Sequence, residues 1–323
     1  VVRFWVGLTV WLLMLTTARA DLRINQIQFV GSHNSYKQTM SEPYRTLVKW
    51  FDDDIANALD YAHPPLGAQL DLGLRKVELD VFYQPETGEF IVGHVQLIDM
   101  NSHCLTLRQC LEQLVRWSRS HPEHEPIWIS FNAKDQVIDW LPEPAPFDAA
   151  AFNALDQVLE ASLDGMLIRP ETVKVPGQFK PNWPRLDDAR GKFLLVLDES
   201  GVKQELYLSG WRKRPMFVAV DADHAAAAVL IVNDPITEQE SIRHWVRAGF
   251  LVRTRADADT MEARINDTRR RDAALASGAH AISSDYYLPS NGFSNDYRVW
   301  IEGGIRCNPI SAPVTCAVEI SKQ

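Results

Sequence analysis

Four short segments carry residues whose types could do chemistry together: Gly31-Ser32-His33-Asn34-Ser35-Tyr36, Glu78-Leu79-Asp80, Gly93-His94 and Asn132-Ala133-Lys134-Asp135. Glu78 and Asp80 stand two apart, so on a strand both side chains reach one face while Val77, Leu79 and Val81 reach the other. Two adjacent carboxylates in a protein interior repel each other and are costly to bury unpaired. A divalent cation removes that cost. With amide oxygens from Asn34 and Asn132 the donor set is all oxygen, which suits Ca²⁺ or Mg²⁺ over zinc. His33 and His94, with unperturbed pKa values near ~6.5, are candidate proton carriers. A cation, two imidazoles and Lys134 at one place suit a phosphodiester. Positive charge offsets the non-bridging oxygens, and a base and an acid serve the nucleophile and the leaving group.

A fold must bring these segments to one rim. Apolar runs rich in β-branched residues recur at 27–30, 77–82, 90–92, 127–131, 193–197, 216–220, 251–253 and 281–283. Amphipathic helical patterns lie between several of them, clearest at 105–120, 147–162, 238–248 and 257–276. The Pro/Gly-rich stretch 169–184 reads as a long loop. Alternating strands and helices over this length predict an α/β fold, a single distorted TIM (β/α)₈ barrel, whose chemistry sits at the C-terminal ends of its strands. The four segments stand at the ends of the first four strand candidates. A doubly wound open sheet is the competitor, but no strand candidate is followed by a Gly-x-Gly-x-x-Gly turn.

Each piece alone has a plainer reading. His-Asn after a strand can be a turn and helix cap. Glu-x-Asp can be an ion-pair layer with Arg75, Lys76 or Arg253. His63 beside Pro64-Pro65, and His121 and His124 around Pro122, read as loop residues; His224, His244 and His280 read as packing or surface residues. The joint placement on consecutive strands is what favours a site.

The chain has 323 residues, 46% hydrophobic and 23% charged, which excludes a disordered chain or a polytopic membrane protein. Its net charge of −9 argues against a nucleic-acid backbone as partner. Residues 1–20 have the plan of a secretory signal: Arg3 in a short head, an apolar run over 4–15, and Ala18-Arg19-Ala20 before the expected cleavage. That apolar run is too short to span a bilayer, which takes about 20 residues. Cleavage removes Arg3 and Arg19 and takes the net charge from −9 to −11. The catalytic domain is then 21–323. Four cysteines in an exported chain predict two local disulfides, Cys104–Cys110 and Cys307–Cys316, the simplest of three pairings; neither pair has Cys-x-x-Cys zinc spacing.

The run from Val30 to Tyr36, followed by Gln69-Leu70-Asp71-Leu72-Gly73-Leu74-Arg75-Lys76-Val77-Glu78-Leu79-Asp80-Val81, resembles the phosphatidylinositol-specific phospholipase C superfamily. More narrowly, it is similar to the calcium-dependent secreted microbial branch. The likeness continues through Gly93-His94, residues 104–110, 194–199, 252–257 and 278–286, and so covers nearly the whole chain after residue 20.

The resemblance implies a phospholipase C that cleaves the glycerol–phosphate bond of phosphatidylinositol. The inositol 2-hydroxyl attacks phosphorus, diacylglycerol leaves and a cyclic inositol phosphate forms. It also implies His33 and His94 as the catalytic pair, His94 protonating the leaving oxygen. His33 stabilises the phosphoryl oxygens or helps take the hydroxyl proton, a role for which Glu78 also competes. One Ca²⁺ is implied on Asn34, Glu78 and Asp80, with Asn132 where the family usually has glutamate. That change removes a ligand charge and lowers the expected affinity. Lys134, Arg253, Asp285 and Tyr286 are implied substrate-binding residues, although Arg253 and Asp285 could instead pair and close the barrel. The implied partner is a phospholipid at a membrane surface, contacted from the periplasm or the medium, with Trp183, Trp211 and Trp300 as loose candidates for an apolar patch. A glycerophosphodiester phosphodiesterase is the second enzyme reading, disfavoured because His-Arg is expected there in place of His33-Asn34. A weakly active lipid- or inositol-binding relative is the third, and Asn132 is its hint.

Overall fold

The computed structural model describes residues 22–316. The expected export signal lies outside the described residues. Among the described residues there are eleven strands: β1 (Ile27–Ser32), β2 (Lys76–Gln84), β3 (Glu89–Val92), β4 (Ile127–Ala133), β5 (Leu167–Ile168) and β6 (Phe193–Leu197), then β7 (Phe217–Val218), β8 (Val229–Ile231), β9 (Leu251–Arg255), β10 (Ala281–Ser284) and β11 (Ile305–Cys307). They form one curled, mainly parallel sheet in the order β5-β6-β4-β2-β1-β10-β9-β8. β5 pairs with the first half of β6 and β7 with the second. No ladder joins β7 to β8 among the described residues, so the barrel is distorted and open at that seam.

Alternation along each strand divides the core. Val77, Leu79, Val81, Ile127, Ile129 and Phe131 point outward into a layer with Leu107, Leu111 and Leu114 of the helix Leu107–Ser120 and Phe152 and Leu155 of the helix Ala149–Leu163. Val30, Val252 and Ile282 do the same against Ile242 and Val246 of the helix Gln239–Ala248. Inside the barrel, Ile27, Phe29, Trp128, Leu194, Val196, Phe217, Leu251 and Ala281 fill the base. The interior is therefore apolar at the base and polar at the C-terminal mouth.

Two expectations need correction. Residues 90–92 are not a barrel strand: β3 runs antiparallel to β2, Val81 opposite Val92. Only residues 85–88 separate the two strands, too few for the crossover that a parallel pair needs. Closure is instead contributed by β5 and β8, which at two and three residues are too short to show any period. The helical pattern over 257–276 is broken into Met261–Ile265 and Arg269–Ser277, with Asn266 between them in the left-handed region at φ 55°. Both expected disulfides are present, Cys104–Cys110 and Cys307–Cys316.

Candidate active site

Strand register brings the inward-facing residues together. β2 pairs with β4 so that Asp80 lies beside Asn132 and Glu78 beside Ser130. β1 meets β2 at Gly31 and Lys76, and β10 meets β9 at Ala281 and Arg253. One residue beyond β1, His33 turns its Nδ1 to Asp285, one residue beyond β10, at 3.3 Å from each carboxylate oxygen. The proton on Nδ1 therefore faces the carboxylate and Nε2 faces the mouth, 3.7 Å from Glu78 Oε1. Burial lowers the His33 pKa and outweighs the Asp285 charge that raises it. Burial also opposes ionisation of Asp285, but His33 and His63 beside it hold its carboxyl below the usual range.

His94 is held the same way on the other side. Its Nδ1 lies 3.2 Å from Asp99 Oδ2, and buried Lys37 takes Asp99 Oδ1 at 3.1 Å. The site thus has two imidazoles, each with a carboxylate on Nδ1.

Glu78 and Asp80 stand between them. The Asn132 amide donates to Glu78 Oε1 at 3.2 Å and to Asp80 Oδ1 at 2.8 Å. Lys76 Nζ and Arg253 Nη2 both reach Glu78 Oε2, at 2.5 and 3.2 Å, and Lys134 Nζ lies 3.2 Å from Asp80 Oδ2. Burial works to raise Glu78, yet Lys76, His33 and Arg253 together hold it well below the carboxylate range. Burial drives the Lys76 ammonium down to about 8 against the pull of Glu78, so it stays charged at neutral pH.

The family described as "Phosphoinositide phospholipase C, Ca2+-dependent" matches residues 22–92 and 90–309, nearly the whole described chain. The chain belongs to this family. The Ca²⁺-dependent phosphoinositol-specific phospholipase C of a Gram-negative Pseudomonas species has the same fold, at 16% identity over 90% of this chain and 97% of that one, with a TM-score of 0.58. The Ca²⁺-dependent enzyme of Streptomyces antibioticus matches at 18% identity over 82% and 95%, TM-score 0.55. The phosphatidylinositol-specific phospholipase C of Listeria monocytogenes matches at 13% over 82% and 89%, TM-score 0.52. No curated protein matches the sequence.

A phosphoinositide phospholipase C of this family needs a place for calcium, and the donor chemistry here fits one. Asn34 Oδ1 is buried and accepts no hydrogen bond, while its Nδ2 donates to Tyr61 Oη at 2.7 Å. Asn34 sits at φ 43°, a left-handed conformation that asparagine tolerates, which turns its side chain back into the fold after β1. That lone acceptor, with Glu78, Asp80 and the amide oxygen of Asn132, is a hard, all-oxygen set.

Some expected residues take other roles. Arg253 does not pair with Asp285; it bridges Glu78 to Asn233 and lies 3.8 Å from Asp198. Tyr286, one step past Asp285, is buried against Phe293 and Tyr297 and lines a cavity with Asp285 and Tyr61. Trp183 is 1% exposed and belongs to the base of the barrel. The exposed apolar face lies elsewhere, on the rim helices Glu42–Phe51 and Asp53–Ala58 that follow β1. Trp50 is 78% exposed and Phe51 72%, with Tyr44 and Leu47 exposed on the same helix and Ile55 on the next.

Four residues were not legible as site residues. His63 is no bare loop residue: its buried Nε2 donates to the His33 carbonyl at 2.7 Å and lies 3.4 Å from Asp285 Oδ1, while its Nδ1 accepts from Tyr287 Oη at 3.0 Å. Lys37 ties the His33 loop to Asp99. Asp99 stands five residues from His94, a spacing that could have flagged it. Asp257 accepts from the Asp285 amide, Ser284 Oγ and Tyr297 Oη, and so fixes the end of β10.

Proposed function

We propose that this chain is an exported phospholipase C that cleaves the glycerol–phosphate bond of phosphatidylinositol and forms a cyclic inositol phosphate. The observation that carries this reading is the pair of imidazoles, each oriented by a carboxylate on its Nδ1, at the strand ends that also carry Glu78, Asp80 and Lys134. With Asp285 on Nδ1, His33 Nε2 accepts the proton of the inositol 2-hydroxyl as that oxygen attacks phosphorus. With Asp99 on Nδ1, His94 Nε2 gives its proton to the glycerol oxygen as the phosphorus–oxygen bond breaks, and diacylglycerol leaves. Asp285 favours the tautomer that leaves His33 Nε2 free to accept, and Asp99 stabilises the imidazolium form from which His94 gives its Nε2 proton. Lys134 offsets charge on the phosphoryl group, while Arg253 holds Glu78 in place beneath it. Asn34, Glu78, Asp80 and Asn132 would hold one Ca²⁺, whose chemistry when bound is to polarise the phosphoryl oxygens and lower the pKa of the attacking hydroxyl.

The lipid is met at a membrane surface. The exposed stripe of Tyr44, Leu47, Trp50, Phe51 and Ile55 supports this, because it sits on the rim beside the mouth and is larger than scattered surface apolar residues. Export is supported by the pattern of residues 1–20 and by the two disulfides.

The deciding experiment is headgroup release from mixed phosphatidylinositol–phosphatidylcholine vesicles, with Ca²⁺ and with a chelator, resolving cyclic from acyclic inositol phosphate. Calcium-stimulated cyclic product is expected. Folded protein that releases only acyclic product, or none, overturns the reading. The same vesicles, pelleted with Trp50→Ala/Phe51→Ala, test the docking surface: binding is expected to fall about ten-fold or more, on the scale of losing two buried aromatic side chains. Unchanged binding removes this face from the interface.

A further inference from the structure

Neither the family likeness nor the reaction accounts for Lys76. Its side chain is fully buried inside the barrel, one layer below the mouth. Gly31, its register partner on β1, makes the room: a methyl group there would collide with the Lys76 side chain. Every ammonium proton has an acceptor, the Ser32 carbonyl at 2.8 Å, Ser283 Oγ at 3.1 Å and Glu78 Oε2 at 2.5 Å. Arg253 holds the same Glu78 oxygen. The other Glu78 oxygen and Asp80 Oδ1 take the Asn132 amide, and Asp80 Oδ2 takes Lys134. Two carboxylates thus already meet three fixed cations, with Asp198 the next carboxylate out.

We propose that Lys76 is a resident cation of the calcium site. It shares Glu78 with the ion, keeps the two carboxylates assembled when calcium is absent, and weakens calcium binding. Calcium affinity follows the net charge of the ligand set, and a fixed positive charge in a low-dielectric interior acts strongly against a second cation. Lys76 touches neither substrate nor reacting atoms; it is a positioning residue that acts through Glu78. The inference rests on calcium being held by Asn34, Glu78, Asp80 and Asn132.

The test is calorimetric titration of Ca²⁺ into the full exported chain, with thermal midpoints in chelator and in calcium. Lys76→Met is expected to bind Ca²⁺ about ten-fold tighter or more than the parent, as one unit of site charge is removed. Lys76→Arg should bind as the parent does. In chelator Lys76→Met should melt below the parent, and calcium should restore it. A folded Lys76→Met whose affinity is unchanged or weaker overturns the proposal. Lys76→Gln, which keeps hydrogen-bonding capacity, replaces it if the methionine variant does not fold. Adding Asp80→Asn separates the two layers: if Lys76→Met binds tightly with or without it, the ligand set is wrong. If neither parent nor variant takes up Ca²⁺, the metal reading and this inference fall together.

Discussion

The two histidines are held by like partners reached in unlike ways. His33 meets Asp285 across 252 residues, because β1 lies against β10. His94 meets Asp99 across five residues, within one loop that follows the β2–β3 hairpin. The first pair is part of the barrel frame, and its carboxylate is flanked by two imidazoles, His33 and His63. The second is a local turn tied to the segment after β1 by Lys37 on Asp99 and by the backbone bonds of Asn101 and His103, and stapled just beyond by Cys104–Cys110. One side is positioned by the fold as a whole and the other by a short loop with a few strong ties. The His33 side should therefore fail in catalysis before it fails in stability, and the His94 side should do the reverse.

Removing either imidazole should erase the comparison. His33→Ala and His94→Ala are each expected to lower vesicle turnover about 10³-fold, the scale of lost general acid–base catalysis, with unchanged far-UV spectra. A loss confined to one histidine would reduce the mechanism to a single proton carrier.

The partners sharpen it. Asp285→Asn should cut turnover about 10²-fold, because His33 loses the carboxylate that sets its tautomer. Asp99→Asn should instead cost about 3 kcal/mol of stability in urea unfolding, because buried Lys37 loses its counter-charge. Equal stability losses in both variants would break the contrast.

The staple belongs to the His94 side alone. Replacing Cys104 and Cys110 by serine should cost about 2 kcal/mol, the chain-entropy value for so small a loop, and should slow turnover less than Asp285→Asn does.

The smallest effect is a pH slope on the His33 side. Burial, and then the Asp285 charge, raise Asp257 to about 7, against about 3.9 unfolded. Arg255 opposes the rise. The native state therefore holds this proton more tightly, and the stability it contributes is lost as pH rises from about 4 through 7. Between pH 5 and 8 the parent should lose about 2 kcal/mol that Asp257→Asn keeps, read by urea midpoints at both values. Parallel slopes would show that Asp257 is ionised throughout.

Much of this arrangement was legible before the fold. The alternation of Val77, Glu78, Leu79, Asp80 and Val81 assigns the carboxylates to the interior, since side-chain direction on a strand follows from the pleat of its own backbone. His33, Asn34, His94, Asn132 and Lys134 stand where strand patterns end, and the cysteine spacings suggest local bridges. Less legible were elements too short to carry a period. β5 and β8 offer two and three residues, and the hairpin that makes β3 looks like any apolar run until its partner is known.

What the sequence by itself determined is the local part: which residue types flank each strand, which way they alternate, and how much charge the mouth must absorb. Only the tertiary structure decided who absorbs it. Arg253 on Glu78, Asp285 on His33, and His63 beneath the second pair are contacts across separations of up to 252 residues, set by register and by the order of strands around the barrel. A buried charge is indifferent to where in the chain its partner comes from. It needs only a counter-charge within a few ångströms, and closing the sheet is what brings one there.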